Sequence, residues 1–358
     1  MSIEIKSNIR SYEVFFVETP DYLESFKNCE PCCYAVDEMV WHIYGDQLFS
    51  GILKENRVIV PISEDLKNLD SVQRLYDELT QYSAKRNLTL ISIGGGILQD
   101  ISGFVASTLY RGINWIFVPT TLLAQADSCI GSKTSLNYKG FKNLIGTFYP
   151  PSQVFIYPEF LKTQKDVDFY SGMGEVVKLH IMGGVNKTKE LLDLLPKILE
   201  KDTTCLSKVI NSSLLIKNSY ISDDEFDTGR RNLLNFGHCF GHAVETSSKF
   251  EIPHGQAVVI GILLANLIAK NRGLLSSDTY DYIAEELLYP SLLTKPKKDY
   301  LDTEAIIAAM KSDKKRIGEE LALVMMDDDF NLTKVNDLKP SEVSETISEF
   351  FRTTENYF

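Results

Sequence analysis

Short apolar runs alternate with helical patterns through the first half of the chain. A helical pattern at residues 68–86 separates two of the apolar runs. This alternation is typical of a parallel α/β sheet. The predicted strands occupy residues 32–36, 57–62, 88–93, 115–118 and 154–156.

The pattern becomes helical after residue 168. Apolar residues recur with a spacing of about 3.6 in the stretches 203–222 and 256–288. A chain of 358 residues is long enough for two domains with sizeable cores. We therefore predict an α/β domain at 1–168 and a mainly α-helical domain at 169–358, with the boundary near residues 165–170.

Composition and charge narrow the possible functions. The net charge of −12 argues against a nucleic-acid partner, because phosphate backbones require a basic face. We find no apolar signal core at the N-terminus and no apolar run of membrane-spanning length, so we expect a cytoplasmic protein without a membrane partner. Six cysteines in this length do not indicate a disulfide scaffold, and we interpret Cys32 and Cys33 as the start of a buried strand.

A histidine cluster is the strongest sign of chemistry. His238 and His242 are one helical turn apart, so both imidazoles can project from one helix face. His254 follows twelve residues later, and these are three of only five histidines. With a carboxylate such as Glu175, imidazoles form a common ligand set for zinc or another divalent metal. Core or surface histidines are the alternative, but the third histidine and nearby cations favour a metal site.

The glycines at residues 94–96 directly follow a predicted strand and precede a helix expected near residue 98. Such a turn lets backbone N–H groups approach a pyrophosphate at a helix N-terminus. A tight structural turn would need glycines as well. Asp37 and Glu64 stand at predicted strand ends, where nucleotide folds usually bind ribose, and residues 119–121 form a second hydroxyl-bearing turn. Together these features favour a dinucleotide site.

Residues 127–134 form the most polar functional candidate in this half, followed by Lys142 and Asn143 and preceded by Arg111. Residues 131–134 resemble the tail of a P-loop, but the first glycine of that motif is missing, so we exclude a nucleoside-triphosphate site. Interleaved apolar residues argue against a fully solvated loop. We predict cations held at the edge of a cleft.

These motifs together carry a family resemblance. The chain resembles the 3-dehydroquinate synthase family, within the sugar phosphate cyclases, over nearly its whole length. The most specific motifs are Arg111-Gly112, residues 119–127, 142–146, 174–178 and 235–242, and His254-Gly255.

The resemblance implies a Rossmann-like N-terminal NAD-binding domain and a mainly α-helical C-terminal metal-binding domain, with a catalytic zinc or cobalt between them. It also implies a homodimer in which Arg111 contacts the phosphate in the other subunit. The implied metal ligands are Glu175, His238 and His254. The implied phosphate contacts are Lys133, Asn143, Asn235, His242, Arg111 and Lys314, with Lys315 nearly as good a candidate as Lys314. The implied NAD contacts are Asp37, Glu64, Lys67, Gly94, Gly95, Gly96, Asp100, Thr120, Thr121, Lys133 and Lys142.

The remaining implied contacts concern the rest of a small sugar phosphate substrate. Asp127 and Lys178 would hold ring hydroxyls and the end near the metal, and Lys217 and Arg231 would bind a carboxylate. The chain departs from the family pattern at Ser63, Gln99, Ser132 and Gln256. The last change, from a usual glutamate, would alter the support of the metal ligands.

The resemblance implies 3-dehydroquinate synthase activity in the shikimate route. Transient oxidation by NAD, β-elimination of phosphate, reduction and aldol closure would convert 3-deoxy-D-arabino-heptulosonate 7-phosphate to 3-dehydroquinate. The alternative is another sugar phosphate cyclase, of the sedoheptulose 7-phosphate cyclase or 2-deoxy-scyllo-inosose synthase type. Arg231 beside Lys217 favours the acid substrate, since a guanidinium suits a carboxylate. Two further alternatives are a metal-dependent polyol dehydrogenase and a non-enzymatic NAD sensor. The dehydrogenase would not need the implied phosphate contacts, and the sensor would need neither the metal ligands nor the cations.

Overall fold

The computed structural model describes residues 1–29, 31–81, 86–293, 295–312 and 321–354. The chain divides into two compact units. The first unit comprises Met1–Thr163 and Ile221–Phe226, and the second comprises Gln164–Tyr220 and Asp227–Phe358. The first is an α/β unit and the second is mainly helical, which confirms the predicted fold class. The assignment of NAD binding to 1–168 and of metal and substrate binding to 169–358 stays a prediction.

The described residues form the following strands and α-helices. The strands are β1 Ser2–Ile5, β2 Tyr12–Phe16, β3 Cys32–Asp37, β4 Arg57–Val60, β5 Thr89–Gly94, β6 Asn114–Pro119, β7 Lys133–Tyr138, β8 Phe141–Phe148, β9 Gln153–Ile156, β10 Leu321–Met326 and β11 Leu332–Leu338. The α-helices are α1 Tyr22–Ser25, α2 Glu38–Tyr44, α3 Leu69–Gln81, α4 Gly96–Thr108, α5 Asp166–Met182, α6 Val185–Leu199, α7 Thr203–Ile221, α8 His238–Ser247, α9 His254–Asn271, α10 Ser277–Ile283, α11 Thr303–Ser312 and α12 Pro340–Thr354.

The first unit is organised on a seven-stranded sheet with the order β1-β2-β9-β6-β5-β3-β4. Its strands pair in parallel except for β1, which is antiparallel to β2. The five predicted strands correspond to β3, β4, β5, β6 and β9 and are confirmed. β1, β2 and the two-stranded sheets β7–β8 and β10–β11 were not predicted. β8 and β11 are largely exposed and carry a weak apolar signal, whereas β10 is a buried apolar run.

The carboxyl ends of the central strands meet at one edge of this sheet. Val36 pairs with Ile93 and Gly94 pairs with Pro119, so β3, β5 and β6 end together. Asp37 pairs with Val60 at the end of β4. Ligands of open α/β sheets bind at this edge.

An aromatic cluster forms part of the core of the first unit. Phe155 of β9 stacks on Tyr22 with ring centroids 5.3 Å apart, and Phe26 meets Phe155 edge-on at 5.2 Å. Ile91 and Ile116 of the sheet belong to the same buried cluster. These contacts bury large apolar area and hold the helical connections against the strands.

The second unit packs α5, α8 and α9 at very short backbone distances. A Cβ atom on Gly174 of α5 would lie 2.0 Å from the carbonyl oxygen of Gly255. A Cβ atom on Gly261 of α9 would lie 1.9 Å from the carbonyl oxygen of Gly237, which precedes α8. Only glycine fits at these positions, because any larger residue would push the helices apart.

The predicted helical stretch 256–288 falls into three pieces. The first is α9, which is followed by Gly273 with φ of 71°. Ser276 then caps α10 by accepting the N–H of Thr279, and a π-helical turn continues over Ala284–Leu288. Helix α9 is buried from Gly255 to Ala269, as expected for a helix with apolar residues on all sides. Among the described residues, no helix combines the length and apolar composition needed to span a bilayer.

Replacing Gly174 by Ala should lower the free energy of unfolding by about 1–3 kcal/mol, because the added methyl group would overlap the Gly255 carbonyl. The matched control is Gly51→Ala, since a Cβ atom at Gly51 has no atom within 4 Å. Thermal and denaturant unfolding of both variants measure the effect. Equal stability of the two variants would contradict the requirement for close helix contact.

Candidate active site

Three helices of the second unit bring a carboxylate and two imidazoles together. Glu175 lies on α5, His238 begins α8 and His254 begins α9. The Nε2 atoms of His238 and His254 are 3.4 Å and 3.3 Å from the same Glu175 oxygen, Oε1. One ligand atom from each residue lies within 4.8 Å of the others. The predicted ligand set therefore has a geometry that could hold a metal ion.

Hydrogen bonds to the second ring nitrogen orient both imidazoles. Nδ1 of His238 is 3.1 Å from the Phe236 carbonyl oxygen, and Nδ1 of His254 is 2.9 Å from Glu245 Oε2. When Nδ1–H donates to these acceptors, Nε2 keeps the lone pair that ligates a metal. The donor set thus fits a divalent cation.

Charges around Glu175 keep its carboxylate ionised. Burial raises the pKa of Glu175, but the Lys178 ammonium and the two imidazoles more than offset it and hold this pKa well below its usual range. Lys178 forms a buried ion pair with Glu175 one turn away on α5. Burial and the Lys178 charge lower the pKa of His238 well below its usual value, so this ligand is neutral.

Glu245 is a functional candidate that the sequence analysis missed. It is buried and accepts from Nδ1 of His254, which makes it the carboxylate partner of a predicted metal ligand. His242, Glu245 and His254 also form a second group with ligand atoms within 4.8 Å. We favour the set with Glu175, because Glu245 already binds the opposite nitrogen of His254. Its position three residues after His242, on the same helix face, is the signal that could have identified it.

His242 lies beside the proposed ligands. Its ring centroid is 5.3 Å from that of His238 and 5.8 Å from that of His254. Together with Asn235 and His238 it lines a pocket in the second unit. The one-turn spacing therefore does place His238 and His242 on one face, as predicted. The assignment of His242 and Asn235 to a substrate phosphate stays a prediction.

Two predicted carboxylate-binding cations are buried in the second unit. Lys217 on α7 is 7% exposed, and Arg231, in the 3₁₀ turn Arg230–Asn235, is 4% exposed. Their joint role stays a prediction. Lys314 and Lys315 lie outside the described residues.

The Gln256 side chain makes its hydrogen bonds with backbone groups. Its Nε2 donates to the carbonyl oxygens of Tyr170 and Ser291, both at 2.9 Å, and its Oε1 accepts the N–H of Leu293. The side chain thus connects backbone segments. Nδ1 of His254 contacts Glu245, and the effect of the departure at Gln256 on the metal ligands stays a prediction.

The predicted dinucleotide turn lies at the carboxyl edge of the first unit's sheet. A Cβ atom on Gly95 would lie 3.0 Å from Cγ2 of Thr121, and one on Gly94 would lie 3.1 Å from Cβ of Asp37. The glycines therefore sit directly against two predicted NAD contacts. Gly95 is the N-cap of α4 and has no side chain to cap it, which leaves the first helical N–H groups for an anion.

Asp37 also has a local role. Its Oδ1 accepts the N–H of Met39 at 2.8 Å and caps α2. Thr120 follows β6, and its N–H donates to the Gly94 carbonyl oxygen at 2.9 Å. These contacts fix the edge at which Asp37, Thr120 and the glycine turn meet.

Lys67 joins predicted cofactor and substrate residues in the first unit. Its buried ammonium is 2.8 Å from Asp100 Oδ2 and 2.6 Å from Asn143 Oδ1. Its distance to Glu64 Oε1 is 3.9 Å. Burial raises the pKa of Asp100, while Lys67 and Ser135 oppose that effect. The structure thus gathers four predicted site residues into one network.

The other predicted residues of the first unit occupy its turns and hairpin. Asp127 is partly buried in the π-helical turn Ala124–Ser128, and Lys133 is exposed at the start of β7. Lys142 is half-buried in β8. Arg111 is exposed with φ of 64°, in the left-handed region that is unfavourable for non-glycine residues. The expected contacts of these residues with a substrate or a second subunit stay predictions.

Comparison with known proteins identifies the family. Residues 57–171 match the profile of the 3-dehydroquinate synthase N-terminal domain, and residues 172–316 match that of the C-terminal domain. The chain belongs to the 3-dehydroquinate synthase family. It is 37% identical over 298 residues to the 3-dehydroquinate synthase of Clostridium tetani, covering 82% of this chain and 78% of that protein. It is 33% identical to the enzyme of Campylobacter concisus, covering 98% of this chain and 99% of that protein.

A solved structure supports the fold. The chain resembles 2-epi-5-epi-valiolone synthase of Streptomyces hygroscopicus subsp. jinggangensis with a TM-score of 0.85 and 24% identity, covering 97% and 99% of the two chains. That structure contains NAD⁺ and Zn²⁺. In this member of the 3-dehydroquinate synthase family, the glycine turn and Asn143 fall within the N-terminal match, and all three candidate ligands fall within the C-terminal match.

Replacing Glu245 by Ala should weaken zinc binding by about 10- to 100-fold, because His254 loses the acceptor of its Nδ1–H. Glu245→Gln keeps an oxygen at this place and should retain more affinity. Competition with a chelator measures the dissociation constants, with His238→Ala as the variant that should lose stoichiometric zinc. An unchanged zinc dissociation constant in a folded Glu245→Ala variant would refute the proposed support of His254.

Proposed function

We propose that the chain is a 3-dehydroquinate synthase, a carbon–oxygen lyase of the shikimate route. It converts 3-deoxy-D-arabino-heptulosonate 7-phosphate to 3-dehydroquinate and phosphate. The observation that carries this proposal is the pair of adjoining family matches, which together span residues 57–316. The buried cations Lys217 and Arg231 support an acid substrate, because buried cations suit an anionic group.

The first unit would hold NAD at its sheet edge. The pyrophosphate would lie on the glycine turn and the N-terminus of α4. A side chain at Gly94 or Gly95 would meet Asp37 or Thr121, so the turn requires glycine. Asp37 and Glu64 would contact ribose hydroxyls. The proposed NAD set is completed by Lys67, Asp100, Thr120, Thr121, Lys133 and Lys142.

Glu175, His238 and His254 would hold zinc or cobalt. When bound, NAD supplies reversible hydride transfer at one hydroxyl carbon, and the metal supplies Lewis acidity at its oxygen. Lys178, which pairs with Glu175, would hold the same end of the substrate, and Asp127 would hold ring hydroxyls. Fixed charges of this kind stabilise a developing alkoxide without reorganisation.

The remaining polar groups serve two ends of the substrate. Cations and amides would surround the phosphate, whose own oxygen takes the proton during β-elimination, so the residues act by placing charge. The groups proposed for this phosphate are Lys133, Asn143, Asn235, His242, Arg111 and Lys314. Lys217 and Arg231 would bind the carboxylate.

A second candidate is a cyclase acting on a neutral sugar phosphate. The structural likeness to 2-epi-5-epi-valiolone synthase favours this candidate. A neutral sugar phosphate, however, has no carboxylate for the Arg231 guanidinium to bind. A homodimer and a cytoplasmic location stay predictions from the sequence.

Replacing Arg231 by Ala should reduce catalytic efficiency with the acid substrate by about 30- to 1,000-fold, because a charge-assisted contact to the carboxylate is lost. Phosphate release measures the rates, with the acid substrate and sedoheptulose 7-phosphate assayed side by side. The matched control is Arg230→Ala, since the exposed Arg230 stacks on Tyr220 and should be dispensable. Turnover of only the neutral sugar by the unmodified protein would instead establish the second candidate.

Arg111 should act in the phosphate site of a neighbouring subunit. Arg111→Ala and Lys133→Ala proteins should each be impaired, and mixing them should restore part of the activity through mixed dimers with one intact site. Activity before and after subunit exchange is the measurement. Absence of recovery despite demonstrated exchange would assign Arg111 to the site of its own chain.

A further inference from the structure

Asn137 occupies an irregular position in the hairpin of β7 and β8. The pairing register of the two strands shifts between Leu136 and Tyr138. An irregularity of this kind re-aims side chains relative to a regular ladder. The N–H of Asn137 donates to the carbonyl oxygen of Lys67 at 2.7 Å, which ties the hairpin to the turn after β4.

The Asn137 side chain connects two residues with different proposed ligands. Its Nδ2 donates to Glu64 Oε1 at 2.8 Å and to the Glu64 carbonyl oxygen at 3.0 Å. Its Oδ1 accepts the backbone N–H of Asn143 at 2.9 Å. Glu64 is proposed to bind the NAD ribose, and Asn143 is proposed to bind the substrate phosphate. One amide thus bridges the two binding functions.

The bridge acts on a residue in an unfavourable backbone conformation. Asn143 has φ of 52°, in the left-handed region. Its Oδ1 accepts from Lys67 Nζ at 2.6 Å and from Ser135 Oγ at 2.9 Å. Because its oxygen is occupied in this way, the Nδ2 hydrogens of Asn143 are the donors that it can present to an anion.

We propose that Asn137 is a positioning residue that couples NAD binding to phosphate binding. A ribose bound to Glu64 orders the Asn137 amide, and that amide holds the Asn143 backbone in the conformation from which its side chain donates. Coupling between two binding sites is reciprocal, so phosphate tightens NAD binding by the same factor. This inference rests on the proposed function, which supplies the roles of Glu64 and Asn143.

The test measures the NAD dissociation constant of the full-length, metal-loaded protein by calorimetry, with and without saturating inorganic phosphate. In the unmodified protein, phosphate should tighten NAD binding by about fivefold or more. In Asn137→Ala the ratio should fall close to one, although each ligand still binds. Asn137→Asp keeps the acceptor for the Asn143 N–H but repels the Glu64 carboxylate. For Asn137→Asp, the ratio of the NAD dissociation constants without and with phosphate should also be close to one. Its affinity for phosphate in the absence of NAD should be unchanged.

Leu144→Ala is the matched control, because Leu144 follows Asn143 in the hairpin and is 44% exposed. It should keep the ratio of the unmodified protein. A ratio of one in the unmodified protein, or an unchanged ratio in both Asn137 variants, would overturn the coupling alone. If Asn137→Ala fails to fold, as judged by circular dichroism, Asn137→Asp decides. Failure of the unmodified protein to bind NAD or phosphate would overturn the proposed function and the coupling with it.

Discussion

Close backbone contact between three helices is the constraint on which the candidate metal centre depends. Glu175 follows Gly174, and His254 precedes Gly255, at the point where α5 and α9 nearly touch. Gly237 immediately precedes His238 and meets α9 at Gly261 in the same way. Each proposed ligand is therefore adjacent to a glycine that permits close approach. Metal–ligand bonds tolerate only a few tenths of an ångström, so this packing sets the geometry of the site.

The same helix packing brings several ionisable side chains together at the candidate metal centre. A carboxylate, an ammonium and imidazoles are costly to remove from water unless they compensate one another. The Lys178–Glu175 pair and the Glu245–His254 contact provide that compensation. Burial lowers the pKa of His254, but hydrogen bonds to Glu175 and Glu245 outweigh it and raise the pKa to about 10, so a metal bound at Nε2 would displace a proton. These contacts hold the charges in fixed positions and so preorganise the donors of the candidate site.

In the first unit, tertiary packing also brings together polar residues that are distant in sequence. Its sheet edge aligns strand ends that are distant in sequence, and the β7–β8 hairpin adds Asn137 and Asn143 to them. Lys67 is buried among these groups and is charge-compensated by Asp100. Because the network shares its donors and acceptors, a change at one proposed ligand contact is transmitted to the next.

The sequence by itself determined the α/β and helical halves, the glycine turn, the one-turn spacing of His238 and His242, and the family motifs. These features repeat or cluster within one element, where local periodicity reports on structure. Only the tertiary structure decided that Glu245 supports His254, that Gln256 serves the backbone, and that Asn137 bridges Glu64 and Asn143. Such contacts join separate elements, and their partners are chosen by helix packing and strand register, which no local pattern encodes.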